Sequence, residues 1–76
     1  MVNHPKFVKA FGEHVRSLRK KHNLSQQNLA DLSDVDIRTI QRIEKNLHNP
    51  TIDIVYSIAL GFKMDLKDLM DFSLKK

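Results

Sequence analysis

Residues 24–44 read Leu24-Ser25-Gln26-Gln27-Asn28-Leu29-Ala30-Asp31-Leu32-Ser33-Asp34-Val35-Asp36-Ile37-Arg38-Thr39-Ile40-Gln41-Arg42-Ile43-Glu44, and this stretch decides the fold. Ser25 and Asp36 are residue types whose side-chain oxygen accepts a hydrogen bond from the first unpaired N–H groups of a helix. Each is preceded by an apolar residue, Leu24 or Val35, and followed four positions on by another, Leu29 or Ile40, the spacing of a hydrophobic staple. Two short helices, roughly 26–33 and 37–46, are therefore expected across a turn of about three residues. Ala30 is small where two helices so joined must cross, and Asp34 tolerates the positive φ such a turn needs. Leu29, Val35, Ile40 and Ile43 are spaced to hold the pair together.

Outward from this pair the apolar spacing stays helical. Pro5 suits a first helical position, where its missing N–H would be unpaired anyway. Phe7, Phe11, Val15 and Leu18 then form one stripe, with Lys9, Glu13, Arg16 and Lys20 on the opposite side, so a helix is expected over about 5–22. Asn23 suits a left-handed terminator. Past the stop at Asn49-Pro50, a fourth helix is expected over roughly 51–62, with Ile52, Val55, Ala59 and Phe62 inward and Asp53, Ser57 and Gly61 outward. Ile54 and Leu60 border that outer face, which marks them as candidates for a two-fold dimer contact. The cap-and-staple pattern recurs at Asp65, between Met64 and Leu69 and with Asp68 at the third helical position, which starts a fifth helix over about 66–72. Ser73 to Lys76 are expected to fray. Gly and Pro occur twice each and no segment alternates with period two. The reading is all-α, five helices, one domain over residues 1–76.

Seventy-six residues hold a single core, and a domain this small buries only roughly 60% of its unfolded surface, so it gains from a partner. The absence of cysteine excludes disulfides, thiolate metal sites and a cysteine nucleophile. Ile54 to Leu60, the longest apolar stretch, is far too short to cross a bilayer, and no signal peptide is visible; a cytoplasmic protein is expected. The chain carries 13 basic and 9 acidic residues, for a net charge of +4. Six of the basic residues and one acidic residue lie in positions 1–22, while the rest is nearly neutral. A basic segment beside a neutral body fits phosphate contact through one face, or simply a solvated helix.

Two short helices joined by a tight turn are the helix-turn-helix arrangement, whose second helix enters the DNA major groove. Once the inward residues are removed, Ile37, Arg38, Gln41, Arg42 and Lys45 remain on the outer side of that helix. Arginine and glutamine match guanine and adenine edges, and isoleucine suits a thymine methyl. An ordinary solvated helix face is the bland alternative.

At this point the chain resembles the lambda-repressor-like helix-turn-helix regulators, also called the Cro/repressor or XRE type. The resemblance rests on Val15-Arg16-Ser17-Leu18-Arg19, residues 24–30, Thr39-Ile40-Gln41-Arg42-Ile43-Glu44 and Asn49-Pro50-Thr51, in order over about residues 11–70. It implies a five-helix globule that binds a roughly palindromic operator in double-stranded DNA, usually as a homodimer, in a bacterial or phage setting. Gln26 would bond a phosphate or base edge, and Ile37, Arg38, Gln41 and Arg42 would face bases. Asn46, His48 and Asn49 would approach the backbone, and Gln27, Thr39 and Lys45 complete the candidate DNA-binding set. Arg19 and Glu44 look like the family's internal ion pair. Asp34 and Asn46 stand where many members carry glycine, and Ser33 replaces a commonly larger apolar residue.

His4, His14, His22 and His48 are scattered, and Asp31, Asp34 and Asp36 explain themselves largely as turn and cap residues, so no metal or cofactor is expected. No nucleophile–base pairing and no glycine-rich phosphate loop points to an enzyme. Two further function classes stand beside the transcriptional regulator. One is an antitoxin-type module whose main partner is a toxin and which also binds its operator. The other is a basic amphipathic helix, residues 6–21, lying on membranes.

Overall fold

The computed structural model describes residues 3–73, so the fraying expected at residues 74–76 falls outside it. Five helices follow in order: α1 (Pro5–Lys21), α2 (Gln26–Ser33), α3 (Ile37–Glu44), α4 (Ile52–Gly61) and α5 (Leu66–Leu69). The starts follow the cap chemistry. Ser25 accepts from the Asn28 N–H at 3.0 Å while the Asn28 side chain accepts from the Ser25 N–H at 3.1 Å, a reciprocal capping box. Asp36 accepts from the Arg38 N–H and Thr51 from the Ile54 N–H. Asp65 makes no side-chain cap bond, contrary to the pattern read from sequence.

Helices α1 to α4 all end the same way. Asn23, Asp34, Asn46 and Lys63 take positive φ between 54° and 63°. The next residue in each case is apolar, Leu24, Val35, Leu47 or Met64, and its N–H returns to the carbonyl five residues back, at 2.8–3.0 Å. This left-handed stop satisfies carbonyls that would otherwise lack partners. It also sets the end of α3 at Glu44, two residues short of the expected boundary, because the left-handed Asn46 cannot continue a helix. Neither glycine serves such a turn; both lie inside helices.

The core gathers Phe11 and Val15 of α1, Leu29 and Ala30 of α2, Ile40 and Ile43 of α3, Val55, Ile58 and Ala59 of α4, then Phe62 and Leu69. Within it α2 packs mainly on α4, and α1 on α3. At the second crossing a Cβ on Gly12 would overlap the Ile43 carbonyl and lie 2.6 Å from Asn46 Oδ1. Three expectations are corrected here. Ile52 is 72% exposed, because at the first position of α4 it projects past the core, whereas Ile58, which the spacing did not single out, is fully buried. Gly61 is buried against α2 instead of facing outward. Helix α5 is four residues long instead of seven, since the chain turns at Met70 to lay Phe72 on α1. There the Phe72 ring meets Phe7, Phe11 and His14 at centroid distances of 5.5, 6.1 and 5.0 Å. Among the described residues no strand is present, and no helix is long and apolar enough to cross a membrane.

Candidate nucleic-acid interface

Helix α3 buries Ile40, Ile43 and Glu44, which lie on one side of the helix at helical spacing. The opposite side presents Arg38 and Arg42 to solvent, with Lys45 exposed just past the helix end and Gln41 and Thr39 half-buried at the edges. Ile37 departs from expectation. It is half-buried and packed on the core, so it helps seat the start of α3 instead of standing clear on the outer side. Beyond the helix, Asn46 and Asn49 are exposed, whereas His48 is half-buried with its Nε2 enclosed and unpartnered.

The start of α2 lies beside this face. Gln26 is half-buried and its Nε2 donates to Glu44 Oε1 at 3.2 Å. Gln27 is exposed and donates to Asp31 at 2.8 Å. Arg19 reaches the same carboxylate from α1, with Nε to Oε2 at 2.7 Å and Nη2 to Oε1 at 3.0 Å. Its Nη1 donates to the Leu24 carbonyl at 2.9 Å, closing the loop before α2. The side chains are 12% exposed for Arg19 and 4% for Glu44. Glu44 raises the Arg19 pKa above its ordinary value, chiefly by the hydrogen bond and further by charge attraction, against the opposing effect of burial. The pair joins α1 to α3, as the sequence resemblance implied.

The two dimer candidates separate. Ile54 is half-buried and packs against the core, while Leu60 is 56% exposed. At six residues' separation on a helix they point about 120° apart, so they cannot share a face. Leu60 instead continues a stripe with Ile52 and Tyr56, spaced four apart and all exposed. Tyr56 was not singled out by sequence, although its spacing from Ile52 and Leu60 is the signal that finds it.

Among the described residues no group of three histidines or carboxylates is placed to hold a metal. His22 packs on the Phe62 ring and His14 on Phe72, which accounts for both as packing groups.

Comparison with known proteins places this geometry. Residues 15–69 match the Helix-turn-helix family. Control protein C.BamHI of Bacillus amyloliquefaciens is 36% identical over 64 residues, 83% of this chain and 79% of that protein. An uncharacterized HTH-type transcriptional regulator of Archaeoglobus fulgidus is 34% identical over 58 residues, 76% of this chain and 83% of its own length. The solved restriction-modification controller protein C.AhdI of Aeromonas hydrophila superposes with a TM-score of 0.78 at 27% identity, over 82% of this chain and 94% of that one.

Proposed function

The chain belongs to the helix-turn-helix family, and from that premise we propose that it regulates transcription by binding a specific duplex sequence as a homodimer, α3 lying in the major groove. The observation that carries this reading is the outer face of α3. Arg38, Arg42 and Lys45 stand exposed there, and among the described residues none of them is engaged in an ion pair. Two arginines on α3 and a lysine at its C-terminal cap, near the capped start of α2, form a surface that phosphates and base edges can enter. Arg42, one turn inside the helix, reads a base; Arg38, in the first turn, contacts a base or the neighbouring phosphate. Gln41 and Thr39 border the contact, and Asn46 and Asn49 approach the backbone. The likeness to C.BamHI and C.AhdI, a control protein and a restriction-modification controller, supports a small controller with no catalytic step. Such a protein acts inside the cell.

The dimer forms through Ile52, Tyr56 and Leu60 of α4. A stripe of three large exposed apolar residues is more than an isolated surface hydrophobe and suits a self-complementary contact. Dimers of helix-turn-helix proteins hold their recognition helices about 34–36 Å apart, so the bound site is a near-palindrome with half-sites one helical turn apart. Selection from a random duplex library, with sequencing of the retained pool, tests this. Enrichment of a two-fold symmetric motif is the expected result; a retained pool without a shared motif overturns sequence-specific binding.

A further inference from the structure

We infer that Glu44 is a positioning residue for recognition, its buried carboxylate orienting the side chain of Gln26 at the first position of α2; the inference rests on the DNA-binding reading above. A carboxylate only accepts hydrogen bonds. Oε2 of Glu44 takes the Arg19 Nε at 2.7 Å, and Oε1 is shared between Arg19 Nη2 at 3.0 Å and Gln26 Nε2 at 3.2 Å. The two ends of an amide look alike in shape, and here chemistry distinguishes them. Only the nitrogen end can face Glu44, so the Gln26 carbonyl Oε1 and one remaining N–H are left to meet a ligand.

The backbone beneath this amide is held as firmly. Arg19 pins the Leu24 carbonyl at 2.9 Å, and the Ser25–Asn28 capping box fixes the next turn. One carboxylate thus ties α1, through Arg19, and α2, through Gln26, to the last residue of α3. It sets the spacing between the start of α2 and the cationic face that α3 presents. A glutamine on a helix terminus would otherwise sample many rotamers and be ordered only on binding, which weakens affinity. Glu44→Gln replaces one acceptor oxygen with a donor while keeping the shape. Arg19 and Gln26 then compete for a single oxygen.

The test compares wild type, Gln26→Ala, Glu44→Gln and the double variant at a temperature where circular dichroism shows each folded. The probes are a duplex recovered by selection and its scrambled counterpart. In the free protein, ¹⁵N relaxation of the Gln26 side-chain amide supplies a readout independent of DNA. The expected result is a Gln26 amide as ordered as helix backbone in wild type and mobile in Glu44→Gln. Glu44→Gln should weaken binding to the selected duplex on the order of tenfold, the loss of one preordered hydrogen-bonding side chain. In the Gln26→Ala background it should add almost nothing. A mobile wild-type amide overturns the inference, as does an equal loss in both backgrounds or a lower melting temperature with unchanged affinity. The wild-type amide measurement decides the matter even where Glu44→Gln does not fold. If wild type selects no duplex, the DNA-binding reading fails by itself, and the amide still reports whether Glu44 orients Gln26.

Discussion

Gly61 of α4 lies so close to Ser33 of α2 that a Cβ at position 61 would stand 3.2 Å from both the Cα and the Cβ of Ser33 and would overlap its Oγ. A close approach between α2 and α4 is thus made by a residue with no side chain. Gly61→Ala should destabilise the fold by about 1–3 kcal/mol, because the overlap outweighs the gain in helix propensity. Ser33 Oγ is itself buried without a hydrogen-bond partner. Ser33→Ala should therefore be neutral or stabilising by roughly 1 kcal/mol, and should lessen the cost of Gly61→Ala. Urea titration of the two single variants and the double variant measures this coupling, and simple additivity would remove the steric explanation.

The Arg19–Glu44 pair sets a second expectation. Truncating Glu44 leaves a guanidinium that is 12% exposed without its partner. Glu44→Ala should cost about 3 kcal/mol, toward the lower end of the range for a buried pair because the rim of Arg19 still reaches water. Gln41→Ala, Arg42→Ala and Lys45→Ala remove groups from the outer face of α3 and should each lie within about 0.5 kcal/mol of wild type. Four equal melting temperatures would show that the pair contributes nothing.

The dimer face gives a third prediction. Leu60→Glu places a charge on the exposed stripe of Ile52, Tyr56 and Leu60, so sedimentation should shift toward monomer while the thermal transition of the monomer is retained. Ile54→Asp behaves differently, since Ile54 packs against the core and its replacement lowers stability directly. A wild type that stays monomeric at high concentration and on DNA would count against this face.

A fourth prediction separates base readout from phosphate contact. Arg42→Ala should relax preference at one operator position, worth about 1–3 kcal/mol of discrimination, and leave scrambled-duplex affinity nearly intact. If Lys20 or Lys21 touches the DNA backbone, its alanine variant should weaken all sequences alike and lower the salt slope by roughly one unit. Titrations at several salt concentrations resolve the two behaviours. Equal proportional losses on operator and scrambled DNA for Arg42→Ala would reassign Arg42 to the backbone.

Much of the fold was legible because its signals are local. A helix start depends on a cap residue and its neighbours within four positions, so Ser25 and Asp36 announced α2 and α3, while α4 was placed by the stop at Asn49-Pro50 and the structure adds Thr51 as its cap. The ends of α1 and α2 were legible because Asn23 and Asp34 supply the left-handed residue, whereas α3 stops two residues before its expected end, ahead of the left-handed Asn46. Lys63, which takes the same conformation at the end of α4, carries no such signature, because lysine has no short polar side chain to favour it. The Arg19–Glu44 bridge was visible only through resemblance, since nothing local links positions 25 residues apart.

The sequence by itself determined the five-helix order, the tight turn between α2 and α3, and the cationic character of the outer side of α3. These depend on period and capping, which act over one or two turns of chain. The tertiary structure settled the borders of the inner side of α4, where Val55, Ala59 and Phe62 are buried as their spacing implied but two of their neighbours differ. The periodicity placed Ile52 inward and Gly61 outward, and the packed chain reverses both: Ile52 overhangs the core, and Gly61 supplies the absent side chain that lets α4 meet Ser33. Ile52, Ile54, Ile58 and Leu60 widen the apolar side of α4, so periodicity leaves the borders of its inner face open and the shape of the partner surface sets them. The same holds for α5, shortened because Phe72 finds its ring partners on α1, and for Gln26, whose amide is turned by a carboxylate 18 residues away. Contacts between distant positions are formed by the fold, and no local pattern carries them.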